Sequence, residues 1–268
     1  KYKKCHGAPE TLDRVARAAG AAPLLLAKAQ AEQAQRQRQQ GVGKPIISTE
    51  FQGYRFVAVR NRLHYSRNWK TFHDFLFDYI KIVMGKEWWM GEVAKAPDER
   101  HQILQWAALN WEYQKKFVSE PGKVNTAPMQ GATAAHLHLA YDLYALDHAV
   151  ELQDRLVARL KNRDNFAGAR YEVSVAAKLL RAGFDIALED ESDKTGTHVE
   201  FTATYKKTGK RFSVEAKQRD ASKIRINRLL HRALAKQAEH ARMVFLDINE
   251  PDVVSDAFPP KFFLHAED

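Results

Sequence analysis

The chain is poor in cysteine and has no long apolar run, and each of these absences excludes a class of protein. Cys5 is the single cysteine among 268 residues, so no internal disulfide can form and nothing indicates an oxidising compartment. No stretch approaches the roughly 18 consecutive apolar residues that a membrane span requires, and no cleavable leader pattern opens the chain. We therefore expect a folded cytoplasmic protein that does not enter the membrane.

Methionine is missing from the start of the chain, which begins at Lys1, and we interpret the chain as the interior of a longer protein. With 268 residues and 45% hydrophobic composition, two domains are a reasonable expectation. The residue pattern changes twice. A distinctive short segment covers residues 1–7, a mainly helical region is predicted for residues 8–160, and an α/β domain is predicted for residues 161–268.

The first segment, Lys-Tyr-Lys-Lys-Cys-His-Gly, carries two adjacent residues that are able to bind zinc. It resembles the end of a SEC-C motif, which is a short zinc-binding module. The resemblance places the last two zinc ligands of that module on Cys5 and His6. The preceding Cys-x-Cys pair is absent, and a structural zinc site needs four ligands. We therefore expect this remnant to bind no zinc in this chain.

The net charge of +9 is concentrated in one part of the chain. Residues 205–242 hold twelve Lys or Arg against three Asp or Glu, whereas the other residues carry thirty charges of each sign. A local basic field of this kind suits a partner that is rich in phosphate. A solvated basic surface without a partner is the alternative that charge clustering leaves open.

The region before residue 160 shows mainly helical periodicity. Helices are predicted from an apolar stripe between Phe72 and Ile80, over residues 103–117 and over residues 134–160, while residues 51–60 predict one strand or hairpin arm. Cations and aromatic residues also mix in a short cluster that could contact nucleic acid: Arg60, Arg62, His64, Tyr65, Arg67, Trp69 and Lys70.

From Asn165 onward the pattern predicts helix, strand, strand, strand, helix, strand, which is typical of an α/β unit. The first helix has an apolar stripe and ends near Gly183, a residue type that favours helix C-termini. Glu172 lies beside this stripe, where a carboxylate needs a partner, and a salt bridge to Arg170 or Lys178 would be the simple explanation. Residues 184–188 predict the first strand, and residues 243–248 predict a last strand that is buried in the centre of the sheet.

Two strands of a predicted hairpin bring three charged residues together. In the second strand Phe212, Val214 and Ala216 share one face, so Glu215 and Lys217 emerge on the other. The preceding strand places Glu200 on the matching face. Paired carboxylates can hold Mg²⁺, and a neighbouring lysine can position a water or stabilise charge on a phosphate. This combination points to hydrolysis of phosphodiester bonds, although a cross-strand ion pair is the simpler alternative.

The segment Val214-Glu215-Ala216-Lys217-Gln218 resembles the Glu-x-Lys strand of the PD-(D/E)XK nuclease superfamily, and the resemblance extends over residues 166–248. It implies a restriction-endonuclease-like core, with a mixed sheet flanked by helices. It also implies that Glu215 binds metal, that Lys217 is catalytic and that Glu172 matches an acidic residue of the first core helix. The family usually has Asp on the preceding strand. Here Glu200 is the preferred second metal ligand, and His198 is the alternative.

An apolar stripe is predicted to pack the helix after Lys217 on the sheet. The basic residues of this segment are predicted to contact nucleic acid: Arg219, Lys223, Arg225, Arg228, Arg232 and Lys236. We therefore predict a nuclease that depends on Mg²⁺ or Mn²⁺, with DNA preferred over RNA from the resemblance. If His198 replaces the usual ligand, the fold could bind nucleic acid without turnover. A scaffold whose basic helix contacts an acidic protein is the third hypothesis, and the sequence leaves self-association open.

Overall fold

A computed structural model of the chain describes residues 27–247 except 29, 40, 44, 121, 148, 189–199 and 219–225. Several sequence-based expectations therefore fall outside the described residues. These concern the zinc remnant, the alternative metal ligand and the first half of the basic segment: Cys5, His6, His198, Arg219, Lys223 and Arg225.

Three antiparallel strands follow the first described helix, α1 (30–39). Strands β1 (Ile47–Phe51), β2 (Tyr54–Val59) and β3 (Arg62–Ser66) form a sheet in the order β1-β2-β3. The sequence predicted only one strand here. Val57 and Val59 of the middle strand are buried in the main core, whereas much of the opposite face of this sheet is exposed.

Helices dominate the next hundred residues, as predicted. They are α2 (Phe72–Met84), α3 (Lys86–Val93), α4 (Gln102–Gln114), α5 (Gly131–Leu146) and α6 (Val150–Leu160). The predicted stripe of α2 is confirmed, because Phe75, Leu76, Tyr79 and Ile80 are all buried.

The single helix predicted over residues 134–160 is wrong, because the chain breaks between α5 and α6. The break is held by contacts from distant residues. Arg60 Nε donates to the Asp147 carbonyl oxygen at 2.7 Å, and the Tyr79 hydroxyl donates to Asp147 Oδ1 at 3.0 Å. Neither glycine nor proline lies at this break, so the local sequence gives no signal for it.

The predicted order of elements in the C-terminal part is confirmed. It runs α7 (Phe166–Arg181), β4 (Phe184–Leu188), β5 (Phe201–Tyr205), β6 (Arg211–Gln218), α8 (Ile226–Ala235) and β7 (Ala241–Asp247). The strands form a mixed sheet in the order β4-β5-β6-β7, in which only β6 and β7 are parallel. Parallel neighbours need a crossover, and α8 provides it. The chain thus has an α/β architecture with helices packed on a four-stranded mixed sheet.

Strand β7 differs from the expectation of a buried central strand. It lies at one edge of the sheet, and its apolar side chains are only half-buried. The run of apolar residues misled the prediction, because an apolar run alone does not distinguish an edge strand from a covered one.

The stripe of α7 packs against the sheet and ends at a glycine, as predicted. Ala169, Val173 and Ala176 are fully buried, and they join Phe201 and Val214 of the sheet in one continuous hydrophobic core. Gly183 has a φ of 90°, a left-handed conformation that glycine adopts without steric cost.

The helices within the described residues include none that is both long and apolar enough to cross a membrane.

Candidate active site

The hairpin β5–β6 brings Glu200, Glu215 and Lys217 together, as the alternating pattern predicted. Glu200 immediately precedes β5, and its backbone N–H donates to the Val214 carbonyl oxygen at 3.0 Å. Phe201 is paired with Val214, which places Glu200 directly opposite Glu215. The Lys217 ammonium group lies 3.2 Å from Glu200 Oε1 and also forms an ion pair with Glu215 Oε1.

Glu215 is a deeply buried carboxylate, because only 1% of the residue is exposed. Its Oε1 atom contacts lysine ammonium groups, but its Oε2 atom accepts no hydrogen bond from any described residue. Burying a charge costs free energy unless cations and hydrogen bonds compensate for it. One oxygen of this carboxylate therefore keeps its capacity to bind a further positive group.

Lys236 is a second cation of this cluster, which differs from the sequence-based expectation. The prediction placed it with the arginines that contact nucleic acid. In the structure it follows the end of α8, and its Nζ lies 2.9 Å from Glu215 Oε1 and 3.2 Å from Glu200 Oε1. Two lysines thus stand against two carboxylates. No local pattern indicated this position, because the distance between Lys236 and the hairpin depends on how α8 crosses the sheet.

Glu172 has a partner that the sequence did not reveal. Neither Arg170 nor Lys178 pairs with it in the structure, because Arg170 lies over the Trp106 ring and Lys178 is exposed. Instead, Arg159 at the end of α6 donates to both carboxylate oxygens of Glu172, at 2.5 and 2.8 Å.

Arg159 also connects this pair to the hairpin. Its Nη1 atom lies 3.6 Å from Glu200 Oε2. One guanidinium therefore contacts the carboxylate of Glu172 on α7 and that of Glu200, which immediately precedes β5. A cleft of about 160 Å³ opens beside these groups and is lined in part by Arg159, Glu172 and Glu200. Glu172 therefore belongs to the same charged cluster as the hairpin residues, at the edge of a small opening.

Burial and neighbouring charges move the pKa values of three members of the cluster. Burial, together with repulsion from Glu200, raises the pKa of Glu172 to about 7 in spite of Arg159. Burial alone would raise the pKa of Glu200, but the Lys236 and Lys217 ammonium groups outweigh it and lower that pKa. Burial alone would lower the pKa of Lys217, but the Glu215 and Glu200 carboxylates raise it, so Lys217 is an ammonium at neutral pH.

The arrangement offers hard oxygen donors to a small cation. No group of three or more His, Cys, Asp or Glu residues converges on one point within the described part of the chain. Magnesium does not need such a group, because it is commonly held by one or two carboxylates together with water and phosphate oxygens. Glu200 and Glu215 supply two carboxylates, and Glu215 Oε2 is free of hydrogen bonds from the described residues.

Helix α8 presents the remaining predicted contacts to solvent. Arg228 and Arg232 are exposed, and their contact with nucleic acid stays a prediction. The predicted packing of this helix is only partly correct, because Ala233 is buried and Leu229 is half-buried, whereas Leu230 and Leu234 are exposed.

Comparisons of the chain with protein-family models, with curated proteins and with solved structures find no match. The function must therefore be inferred from the chemistry of the residues themselves.

Proposed function

We propose that this chain hydrolyses phosphodiester bonds in nucleic acid, with DNA preferred, and that it does so in a PD-(D/E)XK-like core that uses Mg²⁺ or Mn²⁺. The observation that carries the proposal is the convergence of Glu200, Glu215 and Lys217 on one face of the β5–β6 hairpin. Two carboxylates can hold a divalent cation that assists attack on a phosphodiester, and a lysine beside them can stabilise the charge that develops on the phosphate.

The residues present fit a small divalent cation. Glu200 and Glu215 would hold it, because both offer carboxylate oxygens and Glu215 Oε2 has no hydrogen-bond donor among the described residues. Bound there, Mg²⁺ would favour ionisation of a water and neutralise charge that develops on the phosphate. Carboxylate oxygens favour a hard cation over zinc, because zinc is usually bound by cysteine and histidine.

Lys217 would act as a donor rather than as a base. Because neighbouring carboxylates raise its pKa, it carries its proton at neutral pH and can donate hydrogen bonds to a phosphate oxygen or to the attacking water. Arg159 positions Glu172 and Glu200 through its contacts with both. We expect this shared guanidinium to fix the orientation of Glu200 when substrate enters.

The basic surface supports a polynucleotide as the substrate. Arg228 and Arg232 are exposed on α8, the helix that leads to Lys236 and the carboxylate cluster. Arginines of this kind contact phosphates without recognising sequence, and binding through them weakens as salt increases. Arg219, Lys223 and Arg225 lie outside the described residues, and their contact with nucleic acid stays a prediction from the sequence.

The test is cleavage of single-stranded and double-stranded DNA and RNA in Mg²⁺ or Mn²⁺. We expect Glu215→Ala and Lys217→Ala to reduce cleavage by at least about 100-fold, and we expect a chelator to abolish it. Glu112→Ala and Lys115→Ala are matched controls, because these residues form an exposed ion pair at 2.8 Å at the C-terminal end of α4. Cleavage that survives both hairpin substitutions would exclude the site.

One observation favours a second candidate, a nucleic-acid-binding fold without turnover. The two ammonium groups of Lys217 and Lys236 already neutralise the two carboxylates, as in a structural ion-pair cluster. In that case the intact chain would bind polynucleotide in a salt-dependent manner, with or without chelator, and would cleave none. An interaction scaffold would show neither binding nor cleavage.

A further inference from the structure

One face of the sheet β1-β2-β3 exposes aromatic rings to solvent. Alternation along the strands places Phe51, Tyr54, Phe56 and Tyr65 on the same side, and we call these four residues the aromatic sheet face. Phe51 and Tyr65 are each 62% exposed, and the other two rings are half-buried. Large rings grouped in this way on a surface indicate a binding site more often than scattered apolar residues do.

The four residues form a contiguous surface rather than separate rings. Tyr65 lies 5.7 Å from Phe56 and 6.0 Å from Tyr54, measured between ring centroids. Tyr54 and Phe56 are 6.2 Å apart, and Phe51 is paired with Tyr54 across the β1–β2 hairpin. Several flat bodies could therefore bind side by side along this sheet.

The charge around the aromatic sheet face is positive. Residues 47–70 contain five Lys or Arg and one acidic residue, Glu50, which forms an ion pair with Arg55 at 3.5 Å. The Arg67 guanidinium lies 4.5 Å from the centroid of the Tyr54 ring. Strand alternation places Glu50, Arg55 and Arg62 on the other face of the sheet. Arg67 is exposed and forms no ion pair with any described residue. A partner of negative charge is therefore favoured over a neutral or basic protein surface.

Not every member of the cation and aromatic cluster noted in the sequence takes part. Trp69 is buried and donates to Asp78 at 2.6 Å, and His64 packs against Phe75 from the inner face. Arg60 is held by Asp147. Arg62 is paired with Val59 and therefore lies on the inner face with His64. Tyr65 and Arg67 are the members that contact the aromatic sheet face, and three rings that the sequence-based cluster did not include join them.

We propose that the aromatic sheet face binds single-stranded nucleic acid, with bases stacked on Phe51 and Tyr65 and with Arg67 near the phosphates. Exposed rings accept any base, because every base has a π face, and arginine adds charge and stacking. A duplex cannot use the face in this way, since its bases already stack on one another. The inference rests in part on the proposed function, because both assign a nucleic acid to this chain.

Binding can be measured without cleavage. Fluorescence anisotropy would be recorded with labelled single strands of about 20 nucleotides, oligo-dT and oligo-U, and with a duplex of equal length, in chelator and at fixed salt. Phe51→Leu and Tyr65→Leu keep apolar bulk but remove the ring. Leu63→Ala is the matched control, because Leu63 is 60% exposed on the same face and has no ring.

Each ring substitution should weaken binding of a single strand by about fivefold or more, while duplex affinity stays unchanged. Leu63→Ala should leave both affinities unchanged. The two single strands distinguish RNA from DNA as the preferred ligand. Circular dichroism and thermal unfolding confirm that the variants are folded, which we expect because Phe51 and Tyr65 are exposed.

Two outcomes would overturn the proposal. Single-strand affinity that does not change in Phe51→Leu and Tyr65→Leu would remove the stacking role. Sedimentation would show whether the chain self-associates. If Leu63→Ala and Phe51→Leu both reduce self-association while the affinity for single strands is unchanged, the face binds a second copy of the chain. Strand binding that depends on the rings in a chain that cleaves nothing would keep this inference and remove the nuclease. Cleavage with affinities insensitive to the rings would do the opposite.

Discussion

The Arg159 guanidinium donates hydrogen bonds to both carboxylate oxygens of Glu172, at 2.5 and 2.8 Å, across the junction of α6 and α7. This bidentate pair is the stronger form of a charge-assisted contact. The Glu172 side chain is almost fully buried, whereas that of Arg159 is 40% exposed. Loss of the arginine would therefore leave a buried charge without a partner, whereas loss of the glutamate would leave a charge that water can still solvate.

Removing Arg159 should destabilise the chain more than removing both partners does. Arg159→Leu leaves a buried carboxylate without its cation, and because the arginine is partly exposed we expect a loss of about 1–3 kcal/mol in the free energy of unfolding. The double variant Arg159→Leu/Glu172→Leu should recover much of this loss. Urea unfolding of the two single variants and the double variant measures the coupling. Strictly additive losses would show that the pair contributes nothing.

Glu172 should make the chain less stable as pH rises towards neutrality. Its pKa is about 7 in the folded chain and near 4.5 when unfolded, so its favourable contribution is full below pH 4.5 and is lost as pH rises through 7. Relative to Glu172→Gln, the intact chain should lose on the order of 2–3 kcal/mol over this range. Arg159→Met should extend the loss to higher pH, because Arg159 lowers this pKa. Urea unfolding at several pH values measures this change. If the free energy of unfolding depends on pH in the same way for the intact chain and Glu172→Gln, the assignment is contradicted.

The sequence predicted the features that depend on neighbours along the chain. Residues 184–188 alternate and are bounded by Gly183, and β4 has these limits. The opposition of Glu200 and Glu215 followed from the period of a strand and a short hairpin turn. Arg159 was missed because it reaches Glu172 across the junction of two helices, thirteen residues away, and not at a helical spacing.

Other features depend on contacts that no local pattern encodes. Strands β1 and β3 were missed because their apolar residues, such as Ile47 and Leu63, face solvent, so the usual alternation of buried and exposed residues is absent. The break after α5 depends on Arg60 and Tyr79, both more than sixty residues away along the chain. The inward position of Lys236 likewise depends on the path of α8.

Lys236 and Arg232 should have different effects although both belong to the same basic segment. Lys236→Met removes one of the two ammonium groups against Glu200 and Glu215, so we expect Mn²⁺ affinity to rise roughly tenfold. Arg232→Met should weaken polynucleotide binding and leave Mn²⁺ affinity unchanged. Isothermal titration with Mn²⁺ alone and anisotropy with DNA separate the two effects. Equal effects on DNA, with no effect on Mn²⁺, would return Lys236 to the phosphate-binding surface.

His136 should contribute to loss of stability in acid. It is fully buried, and its ring stacks on Phe77 with centroids 4.8 Å apart. Burial, with a smaller contribution from Lys81, lowers its pKa from 6.5 to about 4. As pH falls below 6.5 the unfolded chain therefore gains a proton that the folded chain does not, which costs up to about 3 kcal/mol near pH 4. In urea unfolding between pH 4 and 7, His136→Met should lose less stability than the intact chain. If the free energy of unfolding changes with pH equally in His136→Met and in the intact chain, His136 has no such role.

Strand β6 lies between β5 and β7, so the backbone that carries Glu215 is hydrogen-bonded within the interior of the sheet, whereas Glu200 stands at the entrance to β5. Amide hydrogens of an interior strand exchange with solvent only when a large part of the sheet opens, while those at strand ends exchange through small local openings. The two carboxylates that face each other therefore differ in freedom. The backbone that carries Glu215 is the more firmly held of the two, whereas Glu200 lies where the sheet opens first and has its carboxylate held by Arg159 and two lysines.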